Sequence, residues 1–399
     1  MNILFISIAW PAPGNKNLYS DLMDEFVLQG HRVHVAATRY DDEGREKVSE
    51  ENGIKILRIH SGKIMKTSYL RKAIVLLTLG RKLGSAIKRY YGKERYDLII
   101  APTPPITLSL LFKRVKHIYK APFYLLLKDI WPQGSLDHNV FRKYSIPWFY
   151  FRIHEKRLYR VANHIGTMSP MGVEYIRANN SYIPANKVEV CPNSIRPAEQ
   201  AVANAGHEIR DKYGIPRDAC VFIFSGNLGV GHGLHFMLDV FKALSDYHGA
   251  YFVIGGAGTH FTFLEKQVAE SSPGNVFLYN WLPREDFEQI LATSDVGLIL
   301  LYKYTSPQFP SRLLSYLEYS KAVLCAVNRQ TDIGSIVEEE GCGLSVDHGD
   351  LDSFLEAVKY LSEHPKERKV MGEKARELIM DRYTVSHSYE IIMKHFDSK

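Results

Sequence analysis

The sequence predicts an α/β protein built from two doubly wound, parallel-sheet domains. Three observations carry this. The chain has 399 residues, too many for one ordinary hydrophobic core. Short apolar runs alternate with longer amphipathic ones, and that alternation starts afresh past the midpoint. Charge also divides there: residues 1–200 carry 31 Lys and Arg against 17 Asp and Glu, and the remainder carries 19 against 27. With 45% hydrophobic and 24% charged residues, disordered and collagen-like architectures are excluded.

In chain order, Ile3–Ser7 reads as a buried first strand, and Leu18–Gln29 as a helix stopped by Gly30. Val33–Ala37, Lys55–Ile59, Leu98–Ala101, Phe123–Leu127, His164–Thr167 and Val188–Val190 continue the strands. Pro192–Gly206, rich in Pro, Ala and Asn, reads as a linker. The second half begins with strand Cys220–Ser225, helix Gly233–Tyr247 and strand Tyr251–Ile254. Val276–Leu278, Val296–Leu300, Ala322–Ala326 and Gly343–Val346 complete its sheet, and helices follow at Leu351–Ser362, Pro365–Arg382 and Ser386–His395. Two such units predict a two-lobed molecule with a central cleft, ligands sitting at the carboxyl ends of strands beside helix N-termini.

Several function classes are excluded or disfavoured. No run approaches the ~18 apolar residues of a membrane span, and the start MNILFISIAWP lacks a signal peptide's basic flank. Cys191, Cys220, Cys325 and Cys342 are scattered, without a zinc or disulfide pattern, which suits a reducing cytoplasm. The GxGxxG, GK[ST], HExxH and GxSxG patterns are missing from the expected places, and so are nucleic-acid-binding signatures. Nucleic acid is therefore not an expected partner.

Residues 52–93 hold 11 basic residues and no acidic one. Tyr69, Ala73, Leu76, Leu83, Ile87 and Tyr90 share one helical face, with Arg71, Arg81, Lys82, Lys88 and Arg89 opposite. That polar side is either a solvated helix face or one that rests on anionic lipid. Phe141–Tyr159, with Trp148, Phe149, Tyr150 and Phe151 among Arg and Lys, suits a membrane interface or a domain core.

Two strand-to-helix turns favour an anion. Gly226-Asn227-Leu228-Gly229-Val230-Gly231-His232-Gly233 lets the backbone approach a ligand and aims peptide dipoles at it. Pro310-Ser311-Arg312 opens another helix, which Ser311 can cap while Arg312 pairs with phosphate.

SGNLGVGHGL (225–234), YFVIGGAG (251–258), NVFLYNWLPREDFEQILATSDVGLILL (275–301), FPSRLLSYLEYSKAVLCAV (309–327) and IGSIVEEEGCGLSVDHGD (333–350) form an ordered series. With KDIWPQGS (128–135), HEKRLYRVANHIGTMSPMGVEYI (154–176) and VEVCPNSI (188–195), the chain resembles the family-4 retaining glycosyltransferases of the GT-B fold. The DIWP and GNLGV stretches are most similar to the bacterial surface-polysaccharide branch, with its O-antigen and colanic-acid transferases.

The resemblance implies an acceptor-binding domain at 1–195, a nucleotide-sugar domain at 196–380, and a C-terminal helix, 381–399, that returns to the first domain. It implies that Asn280, Trp281 and Leu282 meet the base, and that Asn227, Gly229, His232 and Arg312 meet the diphosphate with Ser311, Leu313 and Leu314. Gly14 and Asn15 would close over the phosphates from the other lobe. The family's paired glutamates fall on Pro307 and Ser315, so Ser315 or Glu318 would hold the ribose. Asp129 is the expected acceptor-side base or orienting group, flanked by Lys128 and Trp131. Glu155 sits at a family position, where an exposed helical glutamate is the commoner explanation.

The implied activity is metal-independent, cofactor-free, retaining transfer of an N-acetylated or deoxy hexose from a UDP-linked donor to a lipid-linked or saccharide acceptor. It would take place in the cytoplasm at the inner membrane face. A UDP-sugar 2-epimerase of the same fold, or a nucleotide-sugar-binding subunit without turnover, are the alternatives.

Overall fold

The computed structural model describes residues 1–8, 10–39, 46–60, 69–198, 208–271, 273–302 and 306–396. The chain divides into two compact units: unit 1 is Met1–Arg196 with Val385–Lys399, and unit 2 is Pro197–Thr384.

Unit 1 runs β1 (Asn2–Ser7), α1 (Leu18–Leu28), β2 (Arg32–Arg39), β3 (Lys47–Glu51), β4 (Ile54–His60), α2 (Tyr69–Tyr91) and β5 (Leu98–Pro102). It continues with α3 (Ser109–Tyr119), β6 (Phe123–Leu127), α4 (Gln133–Asp137), α5 (Ile146–Val161), β7 (His164–Thr167), α6 (Pro170–Asn179) and β8 (Val188–Val190). The sheet order is β3-β4-β2-β1-β5-β6-β7-β8, parallel throughout except for β3 against β4.

Alternate residues of the strands enter two separate cores. Leu4, Ile6, Ile99, Ala101, Leu125 and Leu127 pack under α2 and α3. Ile3, Phe5, Val33, Val35, Leu98 and Ile100 pack under α1. Both faces are covered, which is why these strands read as continuous apolar runs.

Unit 2 runs α7 (Glu208–Lys212), β9 (Cys220–Ser225), α8 (Leu234–Ala243), β10 (Ala250–Gly255), α9 (Phe261–Ser271), β11 (Val276–Tyr279), α10 (Arg284–Thr293) and β12 (Val296–Leu300). It continues with α11 (Arg312–Glu318), β13 (Ala322–Val327), α12 (Ile333–Glu339), β14 (Gly343–Asp347), α13 (Leu351–Glu363) and α14 (Pro365–Arg382). Its six parallel strands lie in the order β11-β10-β9-β12-β13-β14. The winding direction reverses between β9 and β12, the place where such sheets bind ligands.

The last helix, α15 (Val385–Met393), belongs to unit 1. Val385, Ile392 and Met393 join the core under α1. Tyr389 lies edge-on to Phe26 at 4.9 Å, and its hydroxyl is 2.8 Å from His31 Nε2.

The structure differs from the sequence reading at three places. β3 is an edge strand that polar KVSEE does not announce. The buried face of α2 contains Val75, Leu79, Leu83, Ala86, Ile87 and Tyr91, whereas Tyr90 is exposed. The Tyr91 hydroxyl reaches the carbonyls of Val35 and Lys55, so that ring is the one drawn inward. The side chains of Tyr69, Arg71, Ala73 and Leu76 lie outside the described residues, as does most of the expected linker, 199–206. Where that linker is described, Pro192, Asn193 and Ser194 are buried parts of unit 1.

Gly80 and Gly84 weaken α2 in isolation. In the fold they allow close packing with α3: a Cβ on Gly84 would lie 3.2 Å from Leu111 Cδ1. At the start of α1, Asn17 accepts from the amides of Tyr19 and Ser20, and Ser20 Oγ accepts from the Asn17 amide. Asn17→Ala should therefore lower stability by about 1 kcal/mol, measured by urea unfolding, while Asn17→Asp should remain near wild type.

Candidate functional site

The site in unit 2 grows out of the winding reversal. β9 ends at Ser225, and the next residue, Gly226, has φ +136°, a conformation that disfavours side chains. A Cβ there would sit 3.3 Å from Arg312 Nη2. The Gly226 turn also lies directly on the turn after β10. The Gly226 amide donates to Gly255 and the Leu228 amide to Ala257. A Cβ on Gly256 would approach the Gly226 carbonyl to 1.8 Å. These glycines bring the two turns against each other and leave room for Arg312, whereas the sequence reading assigned the close approach to a ligand.

Arg312 is the first residue of α11. Its guanidinium lies over the Phe224 ring, with Cζ 4.2 Å from the centroid. Nη2 donates to His232 Nε2 at 3.3 Å. His232 Nδ1 faces the Leu300 carbonyl at 3.2 Å. One carbonyl and one N–H donor on either side of the ring define a neutral imidazole carrying its proton on Nδ1. His232 thus bridges the ends of β9 and β12 and orients Arg312; it does not act here as a second cation.

Arg312 Nη1 is buried and makes no hydrogen bond to the protein. Burial lowers the guanidinium pKa, yet an arginine remains protonated throughout the working range. Among the described residues no carboxylate pairs with it. A buried cation with an unfilled donor is costly unless an anion completes it. The neighbouring α8 begins at Gly233, with φ +57° and no side-chain cap, so its N-terminal amides are left to other partners.

The structure gathers Arg312, His232, Asn227 and Gly229 at this point. Asn227 is exposed and lies beside Gly229. Asn280 and Trp281 follow β11 and are exposed, the indole at 77%, while Leu282 is half-buried.

Other assignments change. Ser311 is exposed and makes no cap bond, because its own backbone is already helical. Leu313 and Leu314 are buried, and their amides donate to Pro310 and Ser311, so neither presents a free donor. Ser315, one turn beyond Arg312, is half-buried. The Glu318 carboxylate accepts from the Ala198 amide at 2.9 Å, committed to the chain entering unit 2.

Unit 1 holds the remaining candidates. Gly14 (φ +83°) and Asn15 line a pocket of about 350 Å³ with Trp10, Lys16, Asp24 and Asn52. Asp129 follows β6; packed surroundings push its carboxyl up, and its charge helps raise the buried Tyr19 phenol. Lys128 turns toward the Cys191 and Pro192 carbonyls at 3.4 and 3.3 Å, which commits its ammonium to the backbone. Trp131 packs edge-on against Phe151 at 5.2 Å. Glu155 is not an exposed helical residue: it is buried and paired with Arg152, and desolvation raises its pKa.

Of the basic stripe, Arg81, Lys82, Lys88 and Arg89 are exposed, and Arg89 pairs with Glu46 at 3.1 Å. No helix among the described residues is long and apolar enough to cross a membrane. Phe224 and the Leu300 carbonyl were missed by sequence reading. Their only signals were the aromatic alternation Phe222/Phe224 and the strand end itself.

The two units, each a wound parallel sheet, define a protein of the GT-B class. Residues 17–199 match the model Glycosyltransferase Family 4, and residues 206–378 match Glycosyl transferases group 1. Together the two models, both of glycosyltransferases, span nearly all of the chain.

A curated relative, the probable glycosyltransferase WbjE of Pseudomonas aeruginosa, is 22% identical over 261 residues, 65% of this chain and 64% of that protein. The chain therefore spans less than two thirds of that relative's length. Among solved structures, sucrose-phosphate synthase of Thermosynechococcus elongatus aligns over 100% of both chains with TM-score 0.80 and 15% identity. Anabaena HepE in complex with UDP aligns over 100% of both with TM-score 0.66 and 14% identity.

Burial lowers the Lys128 pKa to about 8 from the ordinary 10.5. Between those values the unfolded chain holds a proton that the folded one has lost, so stability rises with pH across that window. Lys187 and Lys321 are lowered to about 8 as well. Lys128→Met should therefore stabilise the protein at about pH 7 and shrink, without abolishing, the gain on moving to about pH 9.5. Urea unfolding at the two pH values measures both effects.

Proposed function

We propose that the chain transfers a hexose, N-acetylated or deoxygenated, from a UDP-linked donor to a lipid-linked or saccharide acceptor in surface-polysaccharide synthesis, with retention of anomeric configuration. The observation that carries the reading is the Arg312 guanidinium, oriented by Phe224 and His232 and left with a buried, unfilled Nη1. A diphosphate supplies the missing acceptor. The likeness to HepE in complex with UDP supports a nucleotide of this kind, and the likeness to the probable glycosyltransferase WbjE supports sugar transfer.

The chemistry follows from where charge develops. The bond from the anomeric carbon to the β-phosphate oxygen breaks, and its electron pair stays on the diphosphate. Arg312 and the uncapped amides of α8 stabilise that charge in place, at no cost of reorganisation during reaction. The acceptor hydroxyl attacks the anomeric carbon from the leaving-group face and passes its proton to a phosphate oxygen. The products are the glycoside and the nucleoside diphosphate. Trp281 offers an exposed ring for the base. Asp129, exposed beyond the end of β6 with its carboxyl pKa raised by desolvation, orients the acceptor hydroxyl. The exposed cations Arg81, Lys82 and Lys88 place the chain on an anionic membrane surface, at the cytoplasmic face.

Incubation with UDP-sugars and lipid-linked or free saccharide acceptors tests this reading. Transfer with a retained anomer supports it; an epimerised UDP-sugar formed without acceptor, or binding without turnover, overturns it. Arg312→Ala should lower turnover by about 10²–10³ while leaving the unfolding transition cooperative; near-normal turnover would remove the leaving-group role. Asp129→Asn should reduce turnover more than donor affinity, measured by kinetics beside titration with UDP.

A further inference from the structure

Unit 1 carries a cavity that the transfer chemistry does not use. It encloses about 380 Å³ between α2, α3 and α5. Its polar lining is Arg81 from α2, Arg114 from α3, Tyr150 and His154 from α5, and Thr107 from the turn leading into α3. Gly80 leaves space there, since a Cβ would meet only Leu108 and Leu111, at 3.6 and 3.9 Å.

Three features point to the ligand. First, charge is uncompensated. Arg81 and Arg114 are exposed and enter no salt bridge among the described residues. Neither α2 nor α3 contains an acidic residue, and the only one in α5, Glu155, is buried against Arg152. His154 adds no charge at neutral pH: its Nδ1 lies 2.9 Å from Ser109 Oγ, and burial and Arg157 pull its pKa down. Second, the Thr107 hydroxyl lining the cavity is sealed from solvent with no hydrogen-bond partner, a state that buried polar groups rarely keep without a ligand or water. Third, the surface on the same helices is apolar. Leu77 is 60% exposed, Leu110 55%, Phe149 52% and Ile153 55%. Such a patch beside cations fits a membrane lipid. A free phosphate would meet the guanidiniums but leave these side chains in water.

We propose that this cavity seats the phosphate headgroup of an anionic membrane lipid. Arg81 and Arg114 bond phosphate oxygens, and Leu77, Leu110 and Ile153 enter the acyl layer. This deepens the membrane placement proposed above, turning diffuse attraction into a discrete site.

The test is co-sedimentation of the full chain with phosphatidylcholine vesicles with or without phosphatidylglycerol. Wild type should bind only the anionic vesicles. Arg81→Gln with Arg114→Gln should weaken binding about tenfold or more. Lys82→Gln with Lys88→Gln removes the same charge outside the cavity and should weaken it much less. Leu110→Glu should also release the protein, and inorganic phosphate at matched ionic strength should not.

Equal loss from the arginine and lysine pairs, displacement by inorganic phosphate, or no binding by wild type would each overturn the lipid site. Stabilisation by UDP, which reports on unit 2, is read in the same samples. Its absence in wild type would count against the transferase reading alone, and its retention in a variant that leaves the vesicles shows that the protein is folded.

Discussion

A single guanidinium anchors the candidate site of unit 2. Arg312 is held over the Phe224 ring and tied through His232 to the end of β12, so its direction is set before any ligand arrives. That arrangement is unfavourable for folding taken alone, because a desolvated cation finds no carboxylate among the described residues. Buried cations in that position gain their stabilisation from a bound anion. The glycines around it follow from the same demand: Gly226 gives the guanidinium room, and Gly256 lets the neighbouring turn lie against Gly226. Orienting the donor in advance is how an enzyme meets developing charge without rearranging during the reaction.

Unit 1 solves a different problem. Its sheet is buried on both faces, and one face is closed only when α15, the last helix of the chain, lays Val385, Ile392 and Met393 into the core under α1. The opposite face is covered by α2 and α3, whose outer surfaces mix leucines with arginines and lysines. The basic excess of the first half is thus a surface property of particular helices. Inside the unit, cations and acids are paired or desolvated: Glu155 with Arg152, and Lys128 toward backbone carbonyls.

Parallel strands were legible in the sequence because burial on both faces leaves unbroken apolar runs such as Phe123–Leu127 and Val296–Leu300. β3 was not, since an edge strand of polar residues carries no such signal. Helix faces were readable to within one residue: Tyr90 and Tyr91 differ by about 100° around the axis, and only contacts with β2 and β4 select Tyr91. In the site, the glycine-dense turn and Arg312 were visible as motifs. The neutral role of His232, the ring beneath Arg312 and the diversion of Glu318 to Ala198 were not. Each depends on where a distant strand end or chain crossing falls, and spacing along the sequence does not encode that.

The central claim is that Arg312 exists to complete a diphosphate. Titration of wild type and of Arg312→Gln with UDP and with uridine tests it most directly, because only the phosphates differ between the two ligands. Wild type should prefer UDP strongly, and the substitution should erase the preference while leaving uridine affinity unchanged. An undiminished preference for UDP in the variant would contradict it.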